Sequence, residues 1–104
     1  MIEQYQTMNS ANEFAETTTI VAADHCISTV VDGETVILHQ DAGEYYSVNE
    51  VGTLIWELIQ QPQTLDDLSR AIVSEYDVAY EQCQSDVSEM LAEMANENLV
   101  RLDE

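Results

Sequence analysis

The sequence predicts an α+β domain: a three-stranded antiparallel β-meander followed by three α-helices, arranged as in a winged helix-turn-helix fold. Three observations carry this. Residues 26–48 contain three short runs of strand-forming residues, separated by the turn signals Asp32-Gly33 and Asp41-Ala42-Gly43. From Val51 onward the apolar spacing changes to that of helices, and it does so three times. A chain of 104 residues accommodates one such domain with one modest core.

The first strand is CISTVV, Cys26 to Val31, and the second is ETVILH, Glu34 to His39. Asp32-Gly33 joins them because glycine tolerates positive φ at no steric cost and aspartate is permissive. Asp41-Ala42-Gly43 reads as a three-residue hairpin loop leading to a third strand, Glu44 to Val48. With those turns, Val36 and Leu38 share a face with Tyr46 and Val48, and with Ile27, Thr29 and Val31 of the first strand. This more apolar face is expected to point to the core. Tyr45, Ser47, Ile37 and His39 are expected to point away.

The third strand passes directly into a helix, with Asn49 offering its side-chain oxygen as the N-cap. Val51, Leu54, Ile55, Leu58 and Ile59 keep helical spacing, and Pro62 lies just beyond, where a proline stops a helix. Thr64 with Asp67 makes a variant capping box for the second helix, whose buried stripe is Leu65, Leu68, Ala71, Ile72 and Tyr76. The third helix runs from about Tyr80 to Asn96, lined by Cys83, Val87, Met90, Leu91 and Met94. Ala79 is a poor cap, where Ser or Asp would serve better. Leu99, Val100 and Leu102 are expected to pack the tail back on the core.

Residues 1–19 are polar and read as a mobile arm, which puts the domain at 20–104. They lack the basic start and apolar centre of a secretory signal, and no apolar run is long enough to cross a membrane. A cytoplasmic protein is expected.

Charge restricts the partners. Acidic residues number 21 against two basic ones, Arg70 and Arg101, for a net charge of −19. Nucleic-acid affinity comes largely from lysine and arginine on phosphates, so a nucleic acid is not an expected partner. An anionic membrane surface is set aside for the same reason. A winged-helix regulator is suggested by the fold alone. Its recognition helix would be the third, which carries Glu81, Asp86, Glu89, Glu93 and Glu97 with no basic residue and would repel phosphate.

Cys26 and Cys83 form no CxxC pair and are expected to be free thiols. His25, Cys26, His39 and Cys83 invite a metal reading. It is set aside because His25 is expected on the opposite face from Cys26 and no close-spaced ligand pair exists. No third group orients a Cys–His pair, so neither catalysis nor a cofactor is expected. The free edge of the third strand, in contrast, invites a peptide to add as a further strand.

The ordered segments DGETVIL, GEYYSVNEVGTLIWEL, SEYDV, EQCQSDVSEMLAEM and NLV resemble the PqqD-like proteins. The resemblance spans about Ile27 to Val100, and its most specific parts are Tyr45 to Trp56 and the pair Asp86-Val87. It implies a non-catalytic recognition element that binds the leader of a ribosomally made, post-translationally modified peptide. The leader would add to the edge formed by Glu44, Tyr45, Tyr46, Ser47 and Val48, with a groove wall from Gln82, Cys83, Asp86, Val87 and Met90. The resemblance is to stand-alone proteins of lasso-peptide clusters, which work with a transglutaminase-like cysteine protease as leader peptidase and an ATP-dependent macrocyclase. Quinone-cofactor and radical-enzyme pathways are the alternatives.

Overall fold

In the computed structural model, which describes residues 18–103, the chain runs β1 (Thr19–Ala22), β2 (Cys26–Val31), β3 (Glu34–His39), β4 (Glu44–Val48), α1 (Glu50–Leu58), β5 (Gln63–Thr64), α2 (Leu65–Glu75), α3 (Tyr80–Asn96) and β6 (Val100–Asp103). The expected meander of β2, β3 and β4 and the three helices are all present. Residues 1–17 of the expected arm lie outside the described residues. Thr18 is buried and Thr19 opens β1, so both belong to the folded body.

A second small sheet, ordered β5-β1-β6, was not anticipated. β1 pairs antiparallel with β6, Ile20 facing Leu102 and Ala22 facing Val100. It also pairs with the two residues of β5. The backbone N–H groups of Ala22 and Ala23 donate to the carbonyls of Ile59 and Leu99, at 2.8 and 2.9 Å. These bonds hold β1 over the helices and bury Ile20 completely. The tail packs back as expected, with Leu99 and Val100 buried.

The meander differs from expectation in register. The β3–β4 loop has four residues, Gln40 to Gly43, and not three, so His39 faces Glu44 and Ile37 faces Tyr46. The Gly43 N–H donates to the His39 carbonyl at 2.8 Å and the Ala42 N–H donates to His39 Nδ1 at 3.1 Å, which fixes this longer loop. Because side chains alternate with period two, a slip of one residue flips a whole strand. Thr35, Ile37 and His39 therefore face the core, and Ile37 is fully buried. Tyr46 and Val48 point inward and Tyr45 and Ser47 outward, as expected. Val36 and Leu38, expected inside, lie on the outer face with Ile27 and Val31, which are 51% and 52% exposed. The β2–β3 turn is as read: Asp32 and Gly33 both have positive φ, 53° and 83°, as a type I′ hairpin requires.

The helix signals hold. Asn49 Oδ1 accepts from the Gly52 N–H at 2.8 Å, and Thr64 and Asp67 form a reciprocal capping box. Ala79 makes no side-chain cap for α3. α3 ends in a Schellman motif. Asn98 takes φ 64°, its N–H donates to the Ala95 carbonyl, and the Leu99 N–H donates to that of Met94. The core joins Ile20 and Ile37 from the strands to Ile55, Trp56 and Ile59, then to Leu68 and Ile72 of α2 and Val87 and Leu91 of α3.

Candidate peptide-binding site

β4 pairs with β3 on one side, and among the described residues no strand pairs with its other side. Its unpaired backbone groups are thus available to another chain. Beside this edge, a groove of about 400 Å³ separates β4 from the C-terminal half of α3. Tyr46 and Val48 form one wall of the groove, and Met90, Met94 and Leu99 form its apolar side on the helix and tail. Glu93 and Glu97 add carboxylates to that side.

The five expected edge residues occupy β4 as a unit. Tyr45 is 72% exposed on the outer face. Ser47, also outward, donates from Oγ to Glu34 Oε1 at 3.2 Å. Tyr46 reaches towards the helix, and its hydroxyl lies 2.6 Å from Glu44 Oε1 and 3.0 Å from Glu97 Oε1. The Glu44 hydrogen bond first, then desolvation and the Glu97 hydrogen bond, hold this phenol well above its ordinary pKa and keep it protonated. Tyr46 therefore ties the strand edge to the end of α3.

The five expected wall residues divide. Cys83, Asp86, Val87 and Met90 line a second, smaller cavity of about 170 Å³, closed on its other sides by Val51 of α1 and by Ile72 and Tyr76 at the end of α2. Cys83 and Val87 are buried in its floor. Burial first, and then Asp86, pushes the Cys83 thiol above its ordinary range. Gln82 lies on the exposed face, where its amide donates to Asp86 Oδ1 at 3.0 Å. Met90 alone among the ten expected residues lines both the groove and the cavity, and so links them into one path along α3. Sequence reading missed Glu93, Met94, Glu97 and Leu99. The signal for Glu93, Met94 and Glu97 was their helical spacing after Met90, and for Leu99 it was Asn98, a residue suited to the left-handed C′ position, which turns Leu99 back beside Met94.

The metal question has a different answer from the one expected of the sequence. His25 is not turned away: the ligand atoms of His25, Cys26 and His39 lie within 4.8 Å of one another, and Nε2 of His25 is 3.1 Å from Nε2 of His39. The hydrogen bonding nevertheless assigns the rings another role. Ala42 can only donate, so His39 Nδ1 is the acceptor and the neutral ring carries its proton on Nε2. A metal on that Nε2 would force the proton onto Nδ1, facing the Ala42 N–H, the reverse of the usual second-shell arrangement. The pair is better described as a hydrogen bond from His39 to His25 that closes the hairpin. Burial and then Asp41 push the Cys26 thiol upward, which also disfavours the thiolate a metal needs.

The profile of the family described as coenzyme PQQ synthesis protein D (PqqD) matches residues 34–100, from the start of β3 to the start of β6. The chain belongs to this family. Three solved structures share its fold. TbiB1 in complex with the TbiA(beta) leader peptide has a TM-score of 0.72 and 30% identity, the alignment covering 78% of this chain and 94% of that one. A lasso peptide synthetase B1 complexed with its leader peptide has a TM-score of 0.71 and 20% identity, covering 84% and 99%. The PqqD truncation of Methylobacterium extorquens PqqCD, described as a stand-alone recognition element for ribosomally made modified peptides, has a TM-score of 0.72 and 13% identity, covering 88% and 98%. No curated protein sequence matches the chain.

The candidate site is a strand edge, a groove and a cavity in series. Among the described residues no helix is long and apolar enough to cross a membrane.

Proposed function

We propose that this protein is a non-catalytic recognition element that binds the leader of a ribosomally made precursor peptide and presents the precursor to modifying enzymes. The leader adds as a strand to β4, and its inward side chains enter the groove against α3. The carrying observation is the unpaired edge of β4 lying directly beside that groove. Main-chain hydrogen bonds along an edge give affinity without demanding a sequence, and the pockets beside it supply the choice of side chain. A bulky apolar residue of the leader suits the cavity over Cys83 and Val87, and Met90 is adaptable enough to line its path.

The leader complex of TbiB1 supports leader binding, and that of the lasso peptide synthetase B1 supports a place in lasso-peptide assembly. The enzymes served would be a transglutaminase-like leader peptidase and an ATP-dependent macrocyclase, met in the cytoplasm where the precursor is translated. Among the described residues both thiols are pushed above their ordinary range and the histidine pair is committed to the hairpin, in keeping with a binding role.

The test is an NMR titration of the full chain with the leader of the precursor encoded beside it. Amides of Tyr45 to Val48 are expected to shift and gain exchange protection. A leader that leaves those amides unmoved at micromolar concentration would overturn the proposal.

A further inference from the structure

The groove beside β4 has an apolar side, formed by Met90, Met94 and Leu99, and an acidic end. Glu93 stands there in the last turn of α3 and Glu97 at its C-cap, at the negative end of the helix dipole, where no basic residue of the helix compensates them. Glu44 joins them from the start of β4 through the Tyr46 hydroxyl, whose single proton can serve only one of its two carboxylate neighbours at a time. The two arginines of the chain are engaged elsewhere, Arg70 with Asp66 at 2.8 Å and Arg101 between Asp24 and Asp103 at 3.7 and 3.9 Å. This end of the groove therefore carries charge that no described side chain of the protein neutralises.

We infer that the peptide seated on β4 presents a lysine or arginine side chain to Glu44 and Glu97, and that these two residues set the charge specificity of the site. The inference rests on the leader-binding reading and adds to it the chemistry of the ligand. The ammonium or guanidinium group supplies the cation that α3 lacks at its C-terminus, and because Glu44 and Glu97 are exposed the attraction is one that salt screens. The geometry also sets a spacing. Val87, in the floor of the apolar cavity, lies roughly three helical turns from Glu97, or about 15 Å along α3. An extended strand covers that distance in about four or five residues. The basic residue of the leader thus stands about four or five positions from the bulky apolar residue that fills the cavity.

The experiment is a double-mutant cycle on the full chain, read by fluorescence anisotropy with the neighbouring precursor's leader as probe. Each lysine or arginine of the leader is replaced in turn by glutamine, against wild-type protein and against the Glu44→Gln, Glu97→Gln double variant. One replacement is expected to weaken binding to wild type about three- to tenfold and to have no effect on the double variant. Wild-type affinity should fall with salt more steeply than that of the double variant, and Glu57→Gln, on the exposed side of α1, should leave affinity unchanged. A leader that binds but has no basic residue at the required spacing, or whose binding ignores the double variant, overturns this inference and leaves the leader-binding function standing. A leader that does not bind wild-type protein removes both.

Discussion

Gly52 lies so close to Val48 that a Cβ added to it would stand 2.8 Å from the valine Cβ. The first turn of α1 folds directly over the last residue of β4, and only Asn49 intervenes as the cap. Glycine inside a helix is ordinarily a cost of about 1 kcal/mol against alanine. Here it is what lets strand and helix meet without a linker. The contacted atom is next to the backbone, so it cannot swing aside. Gly52→Ala should therefore destabilise the protein by about 1–2 kcal/mol, despite its better helix propensity. Thermal unfolding measures this. An unchanged or raised midpoint would show that the junction has slack.

Met90 is half-buried and borders both the groove and the cavity, so its loss should affect binding more than folding. Met90→Ala removes apolar contact along the path of the peptide and should weaken leader affinity about tenfold. The melting midpoint should move little, because the side chain packs only at the margin of the core. Isothermal titration beside thermal unfolding separates the two effects. A large fall in the midpoint with no change in affinity would place Met90 in the core and outside the site.

The local signals were legible because each rests on a near neighbour. Asn49, Thr64 with Asp67, and Asp32-Gly33 each form their expected cap or turn within a few residues of chain. The register of β3 was not legible, since it depends on whether the loop before Gly43 holds three residues or four. That choice is made by His39, which accepts from Ala42 and is itself steadied by His25, fourteen residues earlier. β1 and β6 were missed for a related reason. Each is four residues long, and neither is a convincing strand until the other pairs with it from the far end of the chain. At the site, β4 was legible as an edge, but Glu93, Met94 and Glu97 join it only because the groove continues along α3 beyond Met90, and Leu99 only through the turn at Asn98.

The same histidine gives a direct test of the hairpin. His39→Leu keeps a bulky apolar group at a buried position but leaves the Ala42 N–H and His25 Nε2 without their partner. The expected cost is about 1–2 kcal/mol by urea unfolding, with the amide of Ala42 losing its exchange protection. Equimolar zinc should leave the wild-type midpoint where it is, because ligation through Nε2 would set two N–H groups against each other at Nδ1. A midpoint raised by zinc would mean that the loop surrenders its hydrogen bond to a metal.

Asp66 provides the pH test. Tyr80 donates to it at 2.5 Å and Arg70 Nε lies 2.8 Å away, and these hydrogen bonds, Tyr80 first, lower its pKa below the ordinary value of 3.8. A carboxylate whose pKa is lower folded than unfolded contributes stability above the unfolded value and loses it as pH falls through the folded one. The contribution is therefore present at pH 7 and disappears below about pH 4. Total stability does not isolate it, because acid also neutralises the many repelling carboxylates of a chain with a net charge of −19. The difference between wild type and Asp66→Asn does. Asparagine retains an acceptor for Tyr80 but loses the titration, the charge and the hydrogen bond from Arg70. Wild type should melt above the variant at pH 7, and the gap should close as pH falls below 4. A gap that persists at pH 2 would assign the effect to packing between α2 and α3 and not to the carboxylate.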